Sequence, residues 1–166
     1  MIIKDSMVLI HSAKISILEK SCDYFKNVVI SKLVFNEIKK GIERGFEDAT
    51  LINNLIKVNK ISVFDIKNKN LIKKANEFNI QRGEAEAVAL YWEKKADLLA
   101  TDDDNVRKKK ELLNIRVIGT PAIILKLYKG KMIDKNKVKQ CINKLKEIGW
   151  FHMAILDKIQ MEVEND

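Results

Sequence analysis

Arg82-Gly83-Glu84-Ala85-Glu86-Ala87-Val88-Ala89-Leu90-Tyr91-Trp92-Glu93-Lys94-Lys95-Ala96 runs straight into Asp97-Leu98-Leu99-Ala100-Thr101 and then into Asp102-Asp103-Asp104. In the first stretch Ala85, Val88, Ala89, Trp92 and Ala96 recur at i, i+3, i+4, i+7 and i+11, one apolar stripe of a helix. The apolar run Leu98 to Ala100 is too short for a helix and reads as a buried strand. A helix feeding a short strand that stops at acidic residues is half of a βαβ unit. The same alternation continues on both sides. Upstream, Met1 to Lys4 is a short apolar segment ending at Asp5, and Val8 to Glu19 has helical spacing. Asn27 to Ser31 reads as a strand through Val28, Val29 and Ile30, β-branched residues that suit a pleated sheet. Ser31 is placed to cap a helix running to Gly45. Asp48 to Val58 reads as a helix, Ile61 to Ile66 as a strand and Lys67 to Asn79 as a helix. Downstream, Asn105 to Leu113 is helical, Ile115 to Ile118 a strand, and Pro121 to Gly130 a helix with proline where its missing N–H costs least. Two helices, Lys135 to Lys146 and Phe151 to Glu164, close the chain. The pattern predicts an α/β fold, a three-layer α/β/α sandwich around a parallel sheet of about five short strands. A single domain over residues 1–166 is expected, with 134–166 as a C-terminal helical extension.

Composition supports that reading and removes others. With 166 residues and 46% apolar content the chain can bury a core, which excludes general disorder. One proline and six glycines argue against collagen-like, linker-rich and turn-rich all-β chains. No apolar run approaches the roughly 18 residues of a membrane span, and Met1 to Asp5 meets a charge too soon for a signal peptide. Cys22 and Cys141 are far apart with no CxxC spacing, which fits two reduced thiols and a cytoplasmic protein. The net charge of +8 suits an anionic partner such as nucleic acid, and genome composition or heat adaptation also gives rise to such lysine-rich chains. Lysines concentrate between Lys126 and Glu147, while the tail from Asp157 to Asp166 is acidic.

Ligands of open parallel sheets bind beyond the carboxyl ends of the strands. Asp5-Ser6 follows the first strand, Thr101-Asp102-Asp103-Asp104 the fourth and Gly119-Thr120 the fifth. Each acid alone has a plain explanation as a helix cap. Three consecutive aspartates exceed what one cap needs, and their mutual repulsion calls for a compensating cation. Hard cations such as Mg²⁺ take oxygen ligands. Glu37 and Glu84 lie early in helices. By wheel angle Glu84 and Glu86 flank the apolar stripe on opposite sides, and spacing does not choose between them. There is no GxGxxG, GxxxxGK[ST], HExxH or GxSxG pattern, so nucleotide-cofactor, P-loop, zinc and serine-hydrolase chemistry lack their usual support. His11 and His152 stand isolated and read as surface or satisfied core residues. Met7 two residues after Asp5 is not the acid a dehalogenase-type phosphatase needs, and Asp5-Ser6 is not the acidic pair of a receiver domain. What remains is carboxylates, hydroxyls and cations, a set suited to metal-dependent phosphate chemistry.

The ordered set of motifs resembles the PIN-domain family. Ile2-Ile3-Lys4-Asp5-Ser6-Met7-Val8-Leu9-Ile10 is similar to that family's opening strand and its acidic start. Val28-Val29-Ile30-Ser31 with Val34-Phe35-Asn36-Glu37-Ile38 resembles the second strand and its glutamate-bearing helix. Gly83-Glu84-Ala85-Glu86-Ala87-Val88-Ala89-Leu90 resembles the GEAEA helix of one subgroup. Leu98 to Asp103, Arg107 and Arg116-Val117-Ile118-Gly119-Thr120 resemble its later block. The likeness covers Met1 to Ile133. It implies a Mg²⁺- or Mn²⁺-dependent endoribonuclease whose catalytic acids are Asp5, Glu37, Glu84 and the pair Asp102 and Asp103. Of these, Asp5, Glu84, Asp102 and Asp103 would hold the metal. It selects Glu84 over Glu86 and leaves the direct ligand of the aspartate pair open. It further implies that Ser6 and Thr101 orient water or a phosphate oxygen, and that Arg107 and Lys108 grip the RNA backbone. Many similar proteins are homodimeric toxins of toxin–antitoxin pairs, so an antitoxin partner and a homodimer are expectations. A non-catalytic RNA-binding module of the same fold is the alternative. The carboxyl groups should converge, and repulsion should raise their pKa values when no metal is present.

Overall fold

The computed structural model describes residues 1–166. Five strands, β1 (Ile2–Lys4), β2 (Val28–Ser31), β3 (Ile61–Phe64), β4 (Leu98–Ala100) and β5 (Val117–Ile118), form one sheet in the order β3-β2-β1-β4-β5. Every pairing is parallel, with Ile3 opposite both Val29 and Leu99. Parallel neighbours need crossovers, and eleven helices supply them and the C-terminal hairpin: α1 (Ser6–Lys14), α2 (Leu18–Phe25), α3 (Lys32–Glu43), α4 (Glu47–Lys57), α5 (Lys69–Glu77), α6 (Arg82–Lys94), α7 (Asp104–Lys108), α8 (Lys110–Leu113), α9 (Thr120–Lys129), α10 (Lys135–Ile148) and α11 (Met153–Glu164).

The strands are apolar on both faces, because helices cover both. Ile2, Val28, Ile30, Ala100 and Ile118 face a core of 29 buried residues shared with α1 to α4 and α9 to α11. Ile3, Val29 and Leu99 face a second core of 16, shared with α5, α6, α7 and α8. The α/β/α sandwich is therefore the observed architecture. The last two helices are part of its larger core: Val138, Cys141, Ile142, Leu145, Leu156, Ile159 and Val163 are all buried there.

Two expected helices are each two. The run Val8 to Glu19 breaks at Ser16, which has φ +58°, and α2 follows, extending to Phe25. Ile15, Ile17 and Leu18 are buried on both sides of the corner. The apolar spacing thus continues through the break and hides it. Asn105 to Leu113 divides at Lys109, whose ammonium donates to the Phe78 carbonyl at 2.7 Å. The fifth strand is trimmed to two residues.

One buried side chain runs against composition. Lys4 at the end of β1 is fully enclosed, its Nζ donating to Ser21 Oγ at 2.6 Å and lying 5.6 Å from the Phe25 ring centre. Burial pulls its pKa down to about 8, with Cys22 pulling the other way.

Candidate functional site

The strand order turns around β1, which has β2 on one side and β4 on the other, so the crevice beyond their carboxyl ends is the natural ligand site. The backbone brings its parts together. Asp5 N–H donates to the Ala100 carbonyl at 3.0 Å, and Thr101 N–H to Ile118 at 2.9 Å. Residues from distant parts of the chain thereby become neighbours on one rim.

Asp5 is buried and caps α1, accepting from Val8 N–H at 2.9 Å. The Thr101 hydroxyl donates to the same carboxylate and accepts from Asp103 N–H at 3.1 Å. Burial pushes the Asp5 pKa up to about 7 against those two hydrogen bonds, and the charges of Asp102 and Glu84 add to the rise. Repulsion among the acids thus reaches Asp5, as expected, but desolvation is the larger cause. Ser6, half-buried, is the first residue of α1.

Asp102 is also buried. Its Oδ1 accepts from Thr120 N–H at 2.7 Å, and its Oδ2 accepts from Thr120 Oγ1 at 2.5 Å and meets His11 Nδ1 at 2.8 Å. Asp103 caps α7 through Val106 N–H at 2.8 Å, the structural role open to it from the start. The two aspartates therefore differ: one is held inside the rim, the other spent partly on a helix start.

Packing gives the two glutamates of α6 different surroundings. Glu86 accepts from Leu33 N–H at 2.9 Å and so ties α6 to the first turn of α3. Glu84, half-buried, is the acid of that helix whose charge acts on Asp5. Glu37 on α3 is exposed, and a methyl on Gly83 would lie 3.6 Å from its Oε1, so it borders the start of α6. Arg107 is half-buried across the end of β5. A methyl on Gly119 would sit 2.2 Å from its Nη1 and 3.1 Å from Asp102 Oδ1. Lys108 is exposed and pairs with Asp104 at 3.8 Å.

Three residues escaped the sequence reading as site components. His11 is buried and bound to Asp102 rather than serving only the core; a polar residue among Val8, Leu9 and Ala13 must find a partner, and that was its signal. Thr120 was visible as a strand-end residue but not as the partner of Asp102. Trp150, between α10 and α11, donates its indole N–H to the Asp102 carbonyl at 3.4 Å, and nothing in its spacing announced this.

No three His, Cys, Asp or Glu side chains stand close enough together to enclose a metal ion. The donor chemistry nevertheless suits one: the acids near Asp5 offer only oxygen, and Asp5 and Asp102 are buried carboxylates whose charges oppose each other. No helix is long and apolar enough to cross a membrane. A family model described as a PIN domain matches residues 1–163, which includes the C-terminal hairpin. No curated protein and no solved structure matches the chain.

Proposed function

The chain belongs to the PIN-domain family, and from that premise we propose that it is a divalent-metal-dependent nuclease hydrolysing RNA phosphodiester bonds. The observation that carries this reading is Asp5, a buried carboxylate raised to about 7 at the switch point of the sheet, with the charges of Asp102 and Glu84 acting on it. Such a shifted acid in a crevice is a functional-site signature. Asp5, Glu84 and Asp102, with Asp103 at the rim, are the residues that would hold Mg²⁺ or Mn²⁺. The bound ion would supply charge neutralisation at the phosphate and acidify water for attack.

The chain's own residues do the positioning. Thr101 fixes the Asp5 carboxylate while its own oxygen is fixed by Asp103 N–H. Thr120 and His11 hold Asp102 in one rotamer. Glu86 anchors α6 on α3 and so sets where Glu84 stands two residues earlier. Arg107 offers its guanidinium beside Asp102, suited to a phosphate oxygen, and Lys108 adds an exposed cation. Glu37 borders the α6 end of the site and completes the acidic set on this reading. The net charge of +8 would attract the backbone without choosing sequence. A toxin role, with an antitoxin protein and a second copy as partners, extends the reading and rests on the family likeness.

The test is cleavage of an end-labelled single-stranded RNA. Cutting is expected with Mg²⁺ or Mn²⁺ and not with EDTA. Asp5→Asn should slow it by about a hundredfold or more, typical of removing one preorganised group. One observation favours the second reading, a non-catalytic RNA-binding module: both Asp102 oxygens already accept protein donors. RNA bound by parent and Asp5→Asn alike, and cut by neither, would establish it.

A further inference from the structure

Trp150 leaves 57% of its surface exposed. It is not loose. Its N–H reaches the Asp102 carbonyl, its ring lies 6.3 Å from His11, and the neighbouring Phe151 sets its edge against His11 at 5.0 Å. The turn that carries it is shaped by Gly149, whose φ of +75° a side chain would strain. The hairpin of α10 and α11 thus delivers a fixed aromatic face to the rim of the acidic site.

That face borders a cleft of about 430 Å³. Trp150, Pro121 and Ile155 line it as apolar walls, and Arg107, Asp104 and His152 as polar ones. The size is within the range of small-ligand pockets. Arg107 connects the cleft to Asp102, because its guanidinium lies over Gly119 beside Asp102 Oδ1. Asp104 is partly neutralised by Lys108 at 3.8 Å, with His152 at 4.0 Å, and its carboxylate can accept from an exocyclic amine. A flat ring with an amine-bearing edge and an adjoining phosphate matches these groups in order.

Building on the nuclease reading, we propose that this cleft is a nucleobase subsite: an unpaired base of the RNA strand stacks on Trp150 while its phosphate meets Arg107 on the way to the acids. The subsite selects single strands, since a paired base has no free face to offer. It joins the C-terminal hairpin to the acidic rim, with Asp102 and Arg107 in its lining, and it sets affinity and strand choice.

The experiment reads binding without cleavage. The chain has two tryptophans, and Trp92 is tied to the Leu113 carbonyl at 3.0 Å on the other face of the sheet. In a Trp92→Phe background the fluorescence reports Trp150. Titration in EDTA with a single-stranded oligoadenylate should quench it, and an abasic strand with the same phosphates should bind weakly and quench little. Trp150→Leu should weaken oligoadenylate binding about five- to 150-fold, and Trp150→Phe should restore most of the loss. Thermal melts check that the variants fold. In cleavage, Trp150→Leu should raise KM.

Equal affinity for abasic and normal strands, or unchanged affinity in Trp150→Leu, overturns the subsite even if the protein cuts RNA. Quenching that persists in a protein unable to cut RNA with any metal keeps the subsite and overturns the nuclease. A cleft that takes no oligonucleotide is a surface for something else, such as a protein, and the proposal falls.

Discussion

Asp5 sits where two demands conflict, since it must be buried to lie beside Asp102 and burial disfavours its charge. The folded protein raises its pKa from 3.8 to about 7, first by desolvation and then by the nearby Asp102 and Glu84 charges. Between those two values the unfolded chain has released a proton that the folded one keeps. Stability from this group is therefore highest at low pH, declines as pH rises through that window, and is lowest above about 7. Asp5→Asn removes the titration. It should stabilise the metal-free protein at pH 8, by on the order of a few kcal/mol, and by clearly less at pH 5. Urea unfolding at the two pH values checks this, and an equal gain at both would refute the assignment. Mg²⁺ should narrow the difference by stabilising the parent alone. The same residue shows what was legible in advance. A strand-end aspartate can be found by counting, because the sheet dictates which chain positions reach its rim. The His11 contact with Asp102 could not, because it depends on how α1 is rotated over the sheet. Glu86 meets the first turn of α3 while the charge of Glu84 acts on Asp5, and that difference is a packing outcome.

At the level of elements, the short strands and long periodic helices were legible because burial and period agree in them. The α6 stripe of Ala85, Val88 and Ala89 is buried, and α6 also buries Ala87, Leu90 and Tyr91, since α5 and the sheet enclose it more fully than one stripe requires. The break at Ser16 was not legible, because Ile15 and Ile17 fill the core across it. β1 adds an unexpected element-scale feature in Lys4. Its ammonium stays enclosed with Ser21 as its one hydrogen-bond partner, and burial lowers its pKa from 10.5 to about 8. Here the folded state binds fewer protons than the unfolded chain between those values. The penalty is thus complete below about pH 8 and fades as pH rises toward 10.5. Lys4→Met keeps the stem and removes the charge. It should raise Tm at pH 7 by several degrees, for a gain on the order of 2–3 kcal/mol, and by much less at pH 10. Calorimetry at both pH values checks it. A loss of stability at pH 7 would mean that Lys4 holds β1 and α2 together through its Ser21 hydrogen bond and the Phe25 ring more than it strains them.

For the molecule as a whole, the question is whether the last two helices are an attachment or part of the fold. Sequence periodicity showed them as an amphipathic pair, and an amphipathic pair can pack on itself or on a neighbour. The structure gives it both kinds of contact. α10 and α11 touch each other, and both touch α9. Seven of their side chains, Val138, Cys141, Ile142, Leu145, Leu156, Ile159 and Val163, lie in the same cluster as Leu9, Ile123 and Leu127. Burying one such aliphatic side chain contributes about 1.5–3 kcal/mol, and a whole domain is stable by only about 5–15 kcal/mol. Removing residues 134–166 takes away those contributions and bares the α9 face they cover. The fragment 1–133 should therefore show no cooperative urea transition, whereas the full chain should show one. It should also lose RNA binding, because the unsupported α9 begins at Thr120, the partner of Asp102. Circular dichroism across a urea series, with filter binding on the same samples, reads both effects. A fragment that unfolds cooperatively near the full chain's midpoint would mark the hairpin as an addition to a self-sufficient sandwich. Its place over the acidic rim would then be separable from the stability of the fold.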